Sequence, residues 1–401
     1  MEKALPLSAG QRACLDEGFK QVFGGLPQRY FSAPGRTELS GNHTDHQRGR
    51  VLAAAVDLDT RAAVKKNGAN VIRVQSKGYP LVQVKLDCLT PVVAETNTTA
   101  ALVRGVVARF AQLGCRVEGF DAYVESTVLP GSGLSSSAAF EVLMATVINH
   151  LFYEGKASSK EIAKIGQYAE NVFFGKPCGL MDQMASAVGG LVNIDFFDRE
   201  EPVVERIGFD FSATGYALCI VDSRADHADL TDEYAAIPGE LKSICSHFGK
   251  EVITQVAEDA FYRNIGALRR ECGDRAVMRA IHIFEENRRV DRQVDFLKKG
   301  DFDGFLHLVN ESGQSSWMYL QNVLPAGSVK EQPVAVALAL CGHYLHGRGA
   351  YRVHGGGFAG TVQAFVPMDM LKRFRDGIDG ALGEGACRVL SIRPQGGVPL
   401  E

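Results

Sequence analysis

The sequence predicts a mixed helix-and-strand protein divided into two domains, and three observations carry that prediction. The 401 residues are 46% hydrophobic, enough for a large core, and single cores stop growing beyond about 250 to 300 residues. The first third is broken into runs rich in β-branched residues, whereas most of the rest places apolar residues at helical spacing. A composition shift near Phe209, followed by the strand-like run Tyr216–Asp222, puts the boundary between residues 1–208 and 209–401.

In chain order, Val51–Val56, Val71–Gln75 and Val117–Val124 read as strands separated by Gly, Asn and Asp turns. Thr98–Leu113 sets Leu102, Val106, Phe110 and Leu113 on one helical face, and Gly114 stands where such a helix ends. Tyr123–Val128 is a strand that leads through a glycine-rich loop into a helix from about Ser135 to Leu151, marked by Phe140, Leu143, Val147 and Leu151. A helix over Ile162–Phe173, a loop over Gly175–Gly179, a helix over Asp182–Val188 and a strand over Leu191–Phe197 follow. Beyond the boundary, Ile281–Lys299, Phe302–Val309 and Val334–His346 are helical, and Thr361–Phe365 and Cys387–Arg393 are strands.

Charge narrows the partners. The 43 Lys and Arg nearly cancel the 47 Asp and Glu and form no dense basic block, which argues against nucleic acid and for a small molecule. No apolar run is long enough to span a bilayer and no leader precedes the first helix, so the chain is expected to be cytoplasmic and away from membranes. The nine cysteines are scattered, odd in number and free of any CxxC pair, as suits reduced thiols.

Four stretches carry polar chemistry. Val128–Val142, VLPGSGLSSSAAFEV, places glycines and serines between a strand and a helix. Its backbone N–H groups can hold a phosphate at the helix N-terminus, or Ser135, Ser136 or Ser137 can simply cap the helix. Ser32–Gly49, SAPGRTELSGNHTDHQRG, presents Arg36 from a Pro-Gly turn and follows it with Asn, His and Asp. Such side chains suit a polyol, or a polar surface loop. His43, Asp45 and His46 also invite a metal reading, which adjacent, diverging side chains make the weaker one.

Ala169–Gly190 flanks a Gly-Lys-Pro-Cys-Gly loop with Glu170 and Asp182. One carboxylate near a phosphate suits magnesium and one near a hydroxyl suits proton acceptance. As plain structure, Glu170 is an exposed helix residue and Asp182 a cap. Arg352–Phe365 runs three successive glycines into a strand, allowing close backbone approach to a ligand or a tight hairpin.

In this order the motifs resemble those of the galactokinase, homoserine kinase, mevalonate kinase and phosphomevalonate kinase (GHMP) superfamily, and within it the galactokinase family. The family signature APGRVNLIGEHTDYNGG is matched by Ala33–Arg36 and Gly41–His46. PxGxGLSSSA is matched by Pro130–Ala138, PCGxMDQ by Pro177–Gln183, and GxGFGG by Gly355–Gly360. The resemblance runs from about Phe31 past Gly360, most of the chain.

It implies an α+β, two-domain fold with the active site in the interdomain cleft, and transfer of the γ-phosphoryl group of ATP to the anomeric hydroxyl of a hexose. Carried over by position, Asp182 accepts or orients the hydroxyl proton, and Arg36 stabilises phosphate charge and keeps Asp182 ionised. Asn42, His43, Asp45, Gly179 and Tyr234 fall at sugar positions. Gly131, Ser132, Gly133, Leu134, Ser135, Ser136 and Ser137 fall at ATP, and Ser137 and Glu170 at Mg2+. A monomer using sugar and ATP is expected.

Asn42 stands where the signature has glutamate, His46 where it has tyrosine, and His354 and Ala359 alter the late glycine motif. The departures bear on which sugar is used. Galactose is the leading substrate, with N-acetylgalactosamine, arabinose and galacturonate as alternatives. A sensor that binds sugar and ATP without turnover is the other class, and the presence of Arg36, Glu170 and Asp182 ranks catalysis ahead of it.

Overall fold

Two sheets organise the computed structural model, which describes residues 4–128, 131, 133–225 and 230–401. The larger has eight strands among the described residues: β1 (Arg29–Ser40), β2 (Arg50–Lys66), β3 (Val71–Ser76), β4 (Val82–Lys85), β5 (Phe120–Ser126), β6 (Leu191–Asp195), β7 (Val203–Arg206) and β12 (Val398–Leu400). Their order is β12-β1-β2-β5-β3-β4, with β6 on the first part of β2 and β7 beyond it. Only the β3–β5 pairing is parallel. The smaller sheet, in the order β11-β8-β10-β9, joins β8 (Tyr216–Asp222), β9 (Ala350–His354), β10 (Thr361–Pro367) and β11 (Cys387–Leu390). The two sheets therefore fall on either side of residue 209, except that β12 returns to pair with Tyr30–Ser32 of β1.

The helices are α1 (Ala9–Phe23), α2 (Thr99–Gln112), α3 (Ser136–Phe152), α4 (Ser159–Tyr168), α5 (Met181–Val188), α6 (Thr231–His247), α7 (Glu258–Arg263), α8 (Ile265–Cys272), α9 (Asp274–Lys299), α10 (Phe302–Ser315), α11 (Pro333–Leu345) and α12 (Leu371–Leu382). Helices α2–α5 cover the large sheet through Phe110, Leu143, Val147 and Met184, which pack on Val51, Val64, Ile72 and Val124. Helices α11 and α12 cover the small sheet. A third apolar cluster joins the two sheets: Leu39, Leu52 and Val56 meet Leu218, Ile220, Val290, Phe305 and Phe365.

Three sequence expectations change. Pro34-Gly35 makes no turn; it lies inside β1, where the register with β2 shifts between Pro34 and Arg36, a bulge that accommodates a proline within a strand. The helix expected over Ile162–Phe173 begins at Ser159, because Ser158 and Glu161 form a capping box, and Ala169–Phe174 continues it as a π-helical turn. Helix α6, with Pro238 in its interior, had no counterpart in the sequence reading. The strands and helices expected elsewhere are present, with ends moved by a few residues in most cases; α9 begins at Asp274 and α10 runs on to Ser315.

Phe305 is fully buried between the sheets and lies within 6.1 Å, centroid to centroid, of Phe211, Phe302 and Phe365. Phe305→Ala should lower stability by about 3 to 5 kcal/mol, seen as an earlier urea midpoint; an unchanged midpoint would mean that this cluster does not hold the sheets together.

Candidate active site

Strand β1, the loop before α3, the loop before α5 and the Gly355–Gly360 turn converge on one cavity of about 320 Å³, within the range of small-molecule sites. Arg36, from the middle of β1, donates from Nε to Asp182 Oδ1 at 2.7 Å and from the guanidinium end to Asp182 Oδ2 at 2.8 Å. Its remaining nitrogen donates to the carbonyl of Gly133 at 2.6 Å. This two-pronged pairing fixes both the position and the plane of the carboxylate.

Asp182 sits in the first turn of α5. Burial pushes its pKa up, but the Arg36 charge and hydrogen bonds, helped by Ser135, outweigh it and hold the carboxyl below the usual range. Ser135 gives its hydroxyl to Asp182 Oδ2 at 2.7 Å and makes no side-chain cap, so among the described residues the first-turn N–H groups of α3 have no side-chain acceptor. The capping alternative for Ser135 is thereby displaced, and a helix N-terminus faces the cavity ready for an anion.

Glu170 is neither exposed nor surface-facing. It is buried in the π-helical turn, where its Oε1 receives the Ser137 hydroxyl at 3.5 Å and its Oε2 the Gln183 amide at 2.9 Å. The same amide nitrogen donates to Glu141 Oε2 at 2.9 Å. Gln183 thus ties Glu170, which lines the cavity, to the fully buried Glu141 behind it.

Of the residues expected at ATP, Gly131, Gly133, Ser135, Ser136 and Ser137 line the cavity. Leu134 turns its side chain into the core between the sheets, and only its carbonyl serves the site, receiving the Arg36 N–H at 3.0 Å. Ser132 lies outside the described residues. Of those expected at the sugar, Tyr234 lines the cavity and donates to the carbonyl of Gly357 at 2.9 Å. His43 donates from Nε2 to the carbonyl of Gly356 at 3.0 Å. Asp45 lies so close to Gly179 that a Cβ there would stand 2.2 Å from its Oδ2, so this position needs glycine. His43, Asp45 and His46 make no metal centre: among the described residues no group of three or more His, Cys, Asp or Glu is placed to hold an ion.

Asn42 is fully buried, and all its amide atoms are taken by the protein. Its nitrogen donates to Glu38 Oε1 at 3.2 Å and the carbonyl of Gly355 at 2.6 Å, and its oxygen receives Asn322 at 2.8 Å and Ser316 at 3.4 Å. Glu38, which the motif reading passed over, pairs with the fully buried Arg352, which also reaches Ser312 at 3.1 Å. Ser312 and the backbone of Gly41 in turn donate to Glu286. Burial pushes the Glu286 carboxyl up, but the charges of Arg289 and Arg352 and the hydrogen bond from Ser312 outweigh it and hold it well below the usual range.

His354 is a neutral spacer in the same layer. Its Nε2 receives Glu38 N–H at 3.2 Å and its Nδ1–H reaches Thr361 at 2.9 Å, while burial and the nearby Arg36 and Arg352 lower its pKa. Against the signature APGRVNLIGEHTDYNGG, the exchange at 42 is matched by a reverse one: Glu38 stands where the signature has asparagine. Carboxylate and amide have changed places, a signal legible only when both positions are read together.

A galactokinase of Streptomyces coelicolor is 30% identical to the chain over 386 residues, 95% of this chain and 96% of that protein. The chain belongs to the galactokinase family. A galactokinase galactose-binding signature matches residues 17–66, and the GHMP kinases N terminal domain matches residues 101–190. Among solved structures, Lactococcus lactis galactokinase complexed with galactose superposes with a TM-score of 0.81 at 23% identity, covering 96% of this chain and 99% of that one. Methanococcus jannaschii mevalonate kinase superposes with a TM-score of 0.65 at 13% identity, covering 92% and 99%. The family's α+β architecture, expected from the motifs, is the one observed.

Asn42→Glu alone adds a carboxylate to a buried cluster that already holds Glu38 and Glu286. It should cost about 3 to 5 kcal/mol and lower the thermal midpoint, whereas Glu38→Asn with Asn42→Glu should recover most of that loss. A double variant no better than the single one would break the link between the two positions.

Proposed function

We propose that this enzyme transfers the γ-phosphoryl group of ATP to the anomeric hydroxyl of galactose, with ADP and galactose 1-phosphate as products. The observation that carries the reading is the Arg36–Asp182 pair, set between the glycine loop and the Asp45–Gly179 contact in a chain of the galactokinase family. The bond from the γ-phosphorus to the bridging oxygen breaks, a bond to the sugar oxygen forms, and the hydroxyl proton passes to Asp182. In a loose transition state the protein's main work is positioning and charge neutralisation. Arg36 does both, since it fixes the carboxylate and its positive charge faces the phosphate.

The polyphosphate lies at Gly131–Ser137 and the free N–H groups of α3. The sugar lies against His43, Asp45, the Gly179 backbone and Tyr234, in a segment that Asn42 braces from behind. Ser137 and Glu170 suit Mg2+: a hydroxyl and a carboxylate oxygen face each other at 3.5 Å, and magnesium takes one or two protein oxygens and completes its shell with phosphates and water. When bound, the cation neutralises phosphate charge. The second reading, a related sugar such as N-acetylgalactosamine, arabinose or galacturonate, is favoured by one observation, His46 where the family signature has tyrosine.

Magnesium-dependent ADP release with a panel of these sugars and galactose tests the reading; ATP binding without turnover on any of them would favour a sensor. Asp182→Asn should leave ATP affinity within about twofold and reduce kcat by about 100-fold or more. Near-normal turnover would remove Asp182 from the chemistry. Because Asp182 must be ionised and its pKa is held down, activity should persist through the range in which an ordinary aspartate protonates and fall only as this carboxyl does. Ser135→Ala removes one hydrogen bond to that carboxylate, so its pKa rises and the acid limb of kcat should move to higher pH; an unmoved limb would mean that the limb reports another group.

A further inference from the structure

Lys176 lines the catalytic cavity, and nothing in the reaction described above employs its charge. It stands on the loop between the π-helical turn and α5, with its side chain 64% exposed. Yet its ammonium lies 3.8 Å from Glu170 Oε1, which belongs to a side chain only 4% exposed. The same charge contributes to lowering the pKa of Asp182 and opposes the rise at Glu141, so the ammonium is directed at the acids of the site.

The charges that line the cavity cancel: Arg36 and Lys176 against Glu170 and Asp182. A nucleotide polyphosphate adds several negative charges to that balance. Arg36 is committed, with three donors on Asp182 and the Gly133 carbonyl. Among the described residues the Lys176 ammonium has a single long ion-pair contact, and its flexible stem lets it follow a moving charge as a planar guanidinium cannot. A cation shared by Ser137 and Glu170 would also take over the carboxylate that now attracts Lys176.

We propose that Lys176 is a phosphate-binding residue of this enzyme, its ammonium moving from Glu170 to the β- and γ-phosphate oxygens of the nucleotide. It makes and breaks no covalent bond; it supplies a second positive charge, beside Arg36, to the group in transfer. The inference rests on the kinase reading above, and the experiment separates the two.

ATP, ADP and AMP binding to the intact protein are measured by calorimetry in EDTA and again with Mg2+, for the native chain, Lys176→Met and Lys176→Arg, alongside steady-state kinetics. Lys176→Met should weaken ATP and ADP by about tenfold, leave AMP and the galactose KM unchanged, and make ATP affinity less sensitive to salt. It should lower kcat by about tenfold or more, and Lys176→Arg should restore most of both losses. Equal weakening of ATP and AMP, an arginine variant no better than methionine, or unchanged ATP affinity with unchanged kcat would each overturn the proposal. If the native chain turned over no sugar, the kinase reading would fail while the nucleotide series still decided whether Lys176 binds phosphate.

Discussion

The guanidinium of Arg36 is the point on which the catalytic geometry depends. Its backbone belongs to β1, its fork lies on the carboxylate that opens α5, and its last nitrogen reaches the loop that precedes α3. One side chain thereby sets the distances among a sheet, a glycine loop 97 residues further along the chain and a helix 146 residues further along. The register shift at Pro34-Gly35 serves this arrangement, because a bulge re-aims the side chain that follows it. Gly133 answers from the other side: its φ of +72° and its closeness to Thr361 leave no room for a Cβ, so the carbonyl that receives Arg36 can come that near.

Behind this pair lies a second layer that touches no substrate in the proposed reaction. Glu38, Asn42, His282, Glu286, Arg352 and Asn322 form a buried polar sheet that ties β1 and its following loop to α9, α10 and β9. His282 illustrates how fully it is specified: Nε2 donates to the carbonyl of Asn42 at 3.0 Å, and Nδ1 receives Ser315 at 2.8 Å. Burial lowers its pKa to about 4, so the ring is neutral at physiological pH. Such a layer is costly to assemble but tolerant of few geometries once complete, which favours a single arrangement of the segment that follows β1.

Some regular elements with one apolar face were legible in the sequence, although α6 and α12, which also bury one face, were not read. The helical stripe Leu102–Val106–Phe110 and the strands around Val71 and Tyr216 follow their spacing. Strand β1 was not legible, because after its first residue it is buried throughout and its Ser32, Arg36, Thr37, Glu38 and Ser40 spend their polarity inside the protein. A pattern reading assigns such residues to the surface. Arg36, Asp182, the glycine-serine loop and the late glycine turn line one cavity, yet the partners that fix them did not show: Glu286 and Arg352 lie 244 or more residues from the groups they hold on β1 and its loop. The π-helical turn that buries Glu170 left no mark either, since an extra residue per turn has no compositional signature.

Strand β12 gives the architecture a temporal dimension. The beginning of β1, a few residues before Arg36, is flanked on one side by β2 and on the other by Val398–Leu400. Synthesis proceeds from the N-terminus, so β1 is among the first strands made and among the last to acquire its second neighbour. Until then it is an open edge, with unpaired N–H and C=O groups available to any extended segment nearby. The strand that carries Arg36 thus waits for Val398–Leu400 before the second edge of its first residues is covered.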